Sequence, residues 1–168
     1  MRPILLAGVL LAAVPAGAAP CTPPPPVASY LAGHPGWRLL SPADLVADDR
    51  GSWRHDHAHE CPGMAVVALD ASGVKSYALA LVRAHGAATT ERFVVLLAPS
   101  FRAVVLSAPS GDAGLVIYRA PPGVVPGWDD PRKKIRIRHD SIVLERMESA
   151  SQQYYLARRR FRMIQTGD

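Results

Sequence analysis

From residue 64 onward the chain is a succession of short apolar runs at 64–69, 76–84, 92–98, 102–107 and 115–119. They are rich in valine, leucine and tyrosine, and clusters of Gly, Pro, Ser and Asp separate most of them. Runs of this length and composition read as β-strands. Turns this short join antiparallel strands, because a parallel pair needs a crossover of a dozen or more residues. Segments such as Phe93-Val94-Val95-Leu96-Leu97 are apolar on both faces, which predicts central strands covered on both sides. The C-terminal third continues by alternation: Ile135 and Ile137 point one way, and Lys134, Arg136 and Arg138 the other. A turn at His139-Asp140-Ser141 leads into 142–147, and 152–156 and 161–164 form a hairpin that turns near Arg158-Arg159. The expected fold is mainly β, with α+β as the neighbouring class: an antiparallel sheet of about seven to nine short strands and a short N-terminal helix.

That helix is expected to start at Ser41-Pro42-Ala43-Asp44, where serine can cap, proline suits the first turn and Asp44 can reach back to the cap. It should end near Asp49-Arg50-Gly51, and Val27 to Leu31 can add another turn. The run Pro23 to Pro26 reads as an extended polyproline spacer. The division is a leader at 1–19, a proline-rich segment at 20–36 and one domain at 37–168, a size that supports its own core. No repeat of 20 to 50 residues is visible.

The first residues read as a secretory leader. Met1-Arg2 is a short positive start, Ile4 to Val14 is apolar, and Ala16-Gly17-Ala18-Ala19 supplies small residues for cleavage near Ala18 or Ala19. Proline at position 20 is a poor match to a lipid-attachment site at Cys21. No later stretch is apolar for long enough to be a transmembrane segment, so the expected location is periplasmic or secreted. Only Cys21 and Cys61 are available, and in an oxidising compartment their default is a disulfide. Closing a loop of about 40 residues stabilises by roughly 3–4 kcal/mol on the chain-entropy model.

The stretch "CPGMAVVALDASGVKSYALALV" resembles the "CPG–x–A–x–x–DFDGDG–x–x–DYALLLV" pattern of small exported bacterial proteins with an FG-GAP or VCBS-like repeat. The ending "YYLARRRFRMIQTGD" is similar to the "YYW–x–DG–x–F–x–x–I–x–TSD" ending of the same proteins; together the two stretches span about 37 residues. The resemblance implies a β architecture and a loop between two strands that commonly binds calcium. Here Asp70 and Gly73 are kept, Ser72 and Ser76 stand where acidic residues are usual, and Ala68 occupies a further acidic position. Calcium takes six to eight oxygens, with carboxylates supplying much of the affinity. A site on Asp70 and Ser72 would therefore be weak, and the other reading is a Ser-Gly turn without the ion.

Three histidines alternate at His55, His57 and His59, with Glu60 and Cys61 behind them. On a regular strand they would share one face about 6.5–7 Å apart. Asp49-Arg50-Gly51-Ser52 before them and Pro62-Gly63 after them suggest a loop that picks up zinc adventitiously. No Gly-x-Ser-x-Gly elbow, His-Glu-x-x-His helix or phosphate-cradling glycine loop is present, so no catalytic residue is assigned. Two features suit binding. One is a cationic set on Arg136, Arg138, Arg158, Arg160 and Arg162, which forms one positive stripe if 134–138 and 158–162 are neighbouring strands. The other is Trp128, at the tip of the Pro/Gly-stiffened link 120–133, as interface anchor or core lid. The leader and the lack of interleaved aromatics argue against nucleic acid and for a protein or anionic envelope partner. The expected function is a non-catalytic exported binding protein of inhibitor or immunity type acting on an envelope-active enzyme. A metal-dependent envelope enzyme built on His55, His57 and His59 is the alternative.

Overall fold

Two antiparallel sheets packed face to face, with helices at their N-terminal side, account for most of the chain in a computed structural model that describes residues 21–85, 88–106, 114–147 and 149–167. The leader expected at 1–19, with its cleavage near Ala18 or Ala19, lies outside the described residues. In chain order the elements are α1 (Pro25–Ala32), β1 (Arg38–Leu39), a 3-10 turn (Pro42–Asp44) and α2 (Ala47–Asp56). The strands β2 (Met64–Val67), β3 (Ser76–His85), β4 (Ala88–Leu97), β5 (Arg102–Leu106) and β6 (Leu115–Ala120) follow. Then come β7 (Gly123–Pro126), β8 (Lys134–Ile137), β9 (Ser141–Arg146), β10 (Ser151–Ala157) and β11 (Arg160–Gln165). The fold is mainly β, as expected, with eleven strands among the described residues in place of seven to nine. The two added strands are β1, only two residues long, and β7, inside the stretch read as a link, where Gly123 and Pro126 at its ends read as turn residues.

The first sheet runs β1-β3-β4-β5, with β2 also on β3; the second runs β11-β10-β9-β6; β7 and β8 pair as a separate hairpin. β1 and β2 share one edge of β3, handing over at Ala80: Leu40 N–H donates to the Ala80 carbonyl, and Ala80 N–H donates to the Gly63 carbonyl, both at 2.9 Å. Cys21 and Cys61 form the expected disulfide across this handover. A sulfur held in a disulfide cannot also carry a thioether-linked lipid.

Alternation of side chains splits the apolar residues of β3 and β4 between two cores. Ala78, Ala80, Val82, Phe93 and Val95 face the second sheet, where Leu115, Ile117, Ile142 and Leu144 meet them. Leu79, Leu81, Val94 and Leu96 face the other way, under Val27 of α1 and Trp37. Cover on both sides is why these strands read as continuously apolar. The same cover corrects the polyproline expectation. Pro25 and Pro26 lie in the first turn of α1, where a missing N–H costs nothing, and Val27 is completely buried. The Ser41–Asp44 capping reading holds: the Asp44 carboxylate accepts from the Ser41 N–H at 2.8 Å and its hydroxyl at 2.7 Å. It closes only a 3-10 turn, however, and a separate helix α2 runs on through Gly51 to Asp56. Burial of Trp53 in the main core anchors that helix, with Asp48 and Asp49 in its first turn and Arg54 and His55 in its last suiting the helix dipole.

Candidate functional site

The two sheets are laced together along one side and open along the other. On the laced side Ile117 N–H donates to the Pro62 carbonyl at 2.9 Å, and Ala68 N–H donates to Asp140 Oδ2 at 2.8 Å. Asp140 is buried and also pairs with Arg119 at 3.1 Å. On the open side the edges are β5 and β11; among the described residues β5 pairs only with β4 and β11 only with β10. Between them lies a cleft of about 520 Å³, floored by Val104, Leu106, Leu156 and Phe161. A second hollow of about 200 Å³, reaching the Asp70–Ser72 turn, shares Leu97, Arg102, Leu156 and Arg159 with it.

Arginines ring this groove. Arg102 opens β5, Arg159 sits in the β10–β11 turn, and Arg160 and Arg162 lie on β11, all four exposed and none with a carboxylate partner among the described residues. Arg158 and Arg159 both adopt positive φ, 49° and 63°, the backbone of a two-residue hairpin turn that favours Asn and Gly. Each such residue costs on the order of 1 kcal/mol when it is not glycine. On β11 the register sets Phe161 opposite Leu156 and Met163 opposite Tyr154, on the inner face, while Arg162 opposes Tyr155 on the outer face. The alternation expected for this hairpin is therefore present. Met163 is nevertheless 50% exposed, on a strand that forms the edge of its sheet among the described residues.

The remaining candidates are dispersed. Arg136 on β8 and Arg138 just beyond it border a different hollow of about 550 Å³, with Pro122, Gly123 and Val124 of the β7 side. β8 pairs with β7 and β11 with β10, so the two arginine-bearing strands are not neighbours and the cationic residues form two sets, not one stripe. Trp128 is no core lid: its side chain is half exposed, and its N–H donates to the Gln165 carbonyl at 3.0 Å.

His55, His57 and His59 share no face. His55 lies in the last turn of α2 and is exposed. His57 caps that helix, stacks on Trp53 with ring centroids 4.2 Å apart, and lies 3.2 Å from Glu60 Oε2. His59 points to a hollow of about 300 Å³ that it shares with Glu60 and Arg119. Among the described residues no three His, Cys, Asp or Glu side chains come together as a metal cluster. Nearby, the Tyr118 hydroxyl donates to Glu145, and burial together with that bond pushes its ionisation upward, so it is no ready base. In the turn between β2 and β3 Asp70 Oδ1 accepts from the Ser72 hydroxyl at 2.5 Å and the Ser72 N–H at 2.9 Å. These bonds hold the Asp70 carboxyl below its ordinary range and close the turn from within.

Of the cationic set read from the sequence, Arg160 and Arg162 line this groove and Arg158 does not; Arg102 and the apolar floor lay outside that set. No signal in the sequence sets β5 beside β11, which lie in different sheets. No helix among the described residues is long and apolar enough to cross a membrane. Compared with family models, curated proteins and solved structures, the chain matches none of them.

Proposed function

We propose that this chain is an exported, periplasmic or secreted, non-catalytic binding protein that engages an acidic partner through the groove between β5 and β11. The observation that carries this reading is the set of Arg102, Arg159, Arg160 and Arg162 around an apolar cleft, none of them in an ion pair with a carboxylate among the described residues. Fixed positive charge beside unburied apolar surface suits a macromolecular partner: the charge steers the encounter and the apolar floor holds the complex. Arginine in both left-handed turn positions supports it, since backbone strain is retained where a side chain is needed. The concrete version is an inhibitor or immunity-type protein that blocks an envelope-active enzyme, in keeping with the FG-GAP/VCBS-like resemblance and the leader. A metal-dependent enzyme has less support, because His55, His57 and His59 diverge.

The test uses the turn. Replacing Arg158→Asn and Arg159→Gly relieves the positive-φ strain and should stabilise the fold by about 1–2 kcal/mol. The same variant should associate more slowly with polyglutamate, and with any acidic partner captured from the envelope fraction. It should also lose most of the salt dependence of association. A variant that is more stable and binds as fast as wild type at low and high salt would overturn the reading.

A further inference from the structure

Resting on that reading, we infer the mode of engagement: the partner adds an extended segment to the edge of β11 that pairs with no strand among the described residues, with acidic and apolar residues in alternation. The main chain carries the first part of the inference. Thr166 N–H donates inward to the Ser151 carbonyl of the β10 side, whereas the Gln165 carbonyl points outward and accepts from Trp128 N–H. Inward and outward residues alternate along an antiparallel edge strand. Phe161 and Met163 therefore present their N–H and C=O groups to the open side, continuing the line that Trp128 has begun. An acyl chain lying in the cleft would leave these groups unmet. An extended polypeptide satisfies them, which is the logic of strand addition at a sheet edge.

The side chains carry the second part. A strand added to β11 would place alternate residues inward, beside Phe161 and Met163 and over the cleft of about 520 Å³, which has room for several aliphatic side chains. The intervening residues would point outward, beside Arg160 and Arg162, where cross-strand carboxylates form favourable pairs. Two copies of this chain joined edge to edge would instead set arginine against arginine. The groove thus selects by pattern: acidic residues outward, apolar residues inward, over about six positions, or some 20 Å of extended chain.

The probe is a fluorescent hexapeptide alternating glutamate and valine, tested on the full folded chain. Three companions are a block peptide of three glutamates then three valines, alternating peptides N-methylated at every second nitrogen in either register, and phosphatidylglycerol vesicles. Strand addition predicts that the alternating peptide binds and that its amide-exchange protection falls on Phe161 and Met163. The block peptide and one of the N-methylated registers should bind at least about tenfold more weakly, the loss of roughly one order in Kd that a broken main-chain ladder implies. Arg160→Gln with Arg162→Gln should weaken the alternating peptide by a similar factor. Equal affinity of all the peptides, protection elsewhere, or binding to vesicles but to no peptide would overturn the inference. If the double variant loses polyglutamate yet no peptide protects Phe161 and Met163, strand addition fails while the cationic-groove reading survives. If the variant keeps polyglutamate unchanged, both fail.

Discussion

Gly63→Ala puts the architecture of the β3 edge to a direct test. A Cβ at this position would lie 2.2 Å from the Leu40 carbonyl oxygen, 2.6 Å from the Leu40 nitrogen and 3.0 Å from its carbonyl carbon. All three are backbone atoms, so no side-chain rotation relieves the clash. Leu40 and Gly63 are both bonded to Ala80, at 2.9 Å each, and both sulfurs of the Cys21–Cys61 disulfide lie against the Leu40 carbonyl, at 3.8 and 3.9 Å. One segment must leave β3. Losing that segment's hydrogen bond to Ala80 costs about 1 kcal/mol. Partly exposing Leu40, now 1% exposed, adds up to about 1.5–3 kcal/mol. The expected loss is about 2.5–4 kcal/mol, which at roughly 3 °C per kcal/mol for a domain of this size lowers Tm by about 8–12 °C. Gly51→Ala is the control of opposite sign: it lies inside α2 with nothing within 4 Å of an added Cβ. It should stabilise by about 0.5–1 kcal/mol through helix propensity. Urea unfolding of both variants reads the difference, and a Gly63→Ala protein within about 1 kcal/mol of wild type would refute the close approach.

Three further outcomes are expected. The purified protein should show no free thiols before reduction, and reduction should cost about 3–4 kcal/mol of stability; two titratable thiols in the native protein would rule the staple out. Asp44 is held at about 2, chiefly by its hydrogen bonds from Arg38 at 2.5 and 2.6 Å. A depressed carboxyl contributes stability above its unfolded value of about 3.9 and loses it as pH falls through about 2. Because Arg38 is 59% exposed, solvent screening reduces the effect to about 1 kcal/mol. The urea-unfolding gap between wild type and Asp44→Asn should therefore close between pH 5 and 2, and a constant gap would remove the ion pair from the ledger. Millimolar calcium should raise Tm by little, because Asp70 already spends its carboxylate on Ser72; a shift of many degrees at micromolar calcium would reverse that view.

What the sequence by itself determined lies in local pattern. Alternation and apolar runs specified the β class, the both-faces-buried strands β3 and β4, and the hairpin turn at Arg158-Arg159. Two cysteines left a single pairing, and Ser41 with Asp44 wrote its own cap. Signals of this kind reside in neighbouring residues, so they survive without knowledge of the rest of the fold. Tertiary structure decided the remainder. Packing of Val27 on the face of the first sheet turned away from the second made a proline run the start of α1, and burial of Trp53 carried α2 through a glycine that reads as a stop. The groove is the clearest case. Arg102 and Arg159 meet because one sheet ends in β5 and the other in β11, and the laces at Pro62 and Asp140 close only the opposite side. Which edges of two stacked sheets face each other is a property of strand order, and strand order is settled by long-range packing, not by any stretch of neighbouring residues.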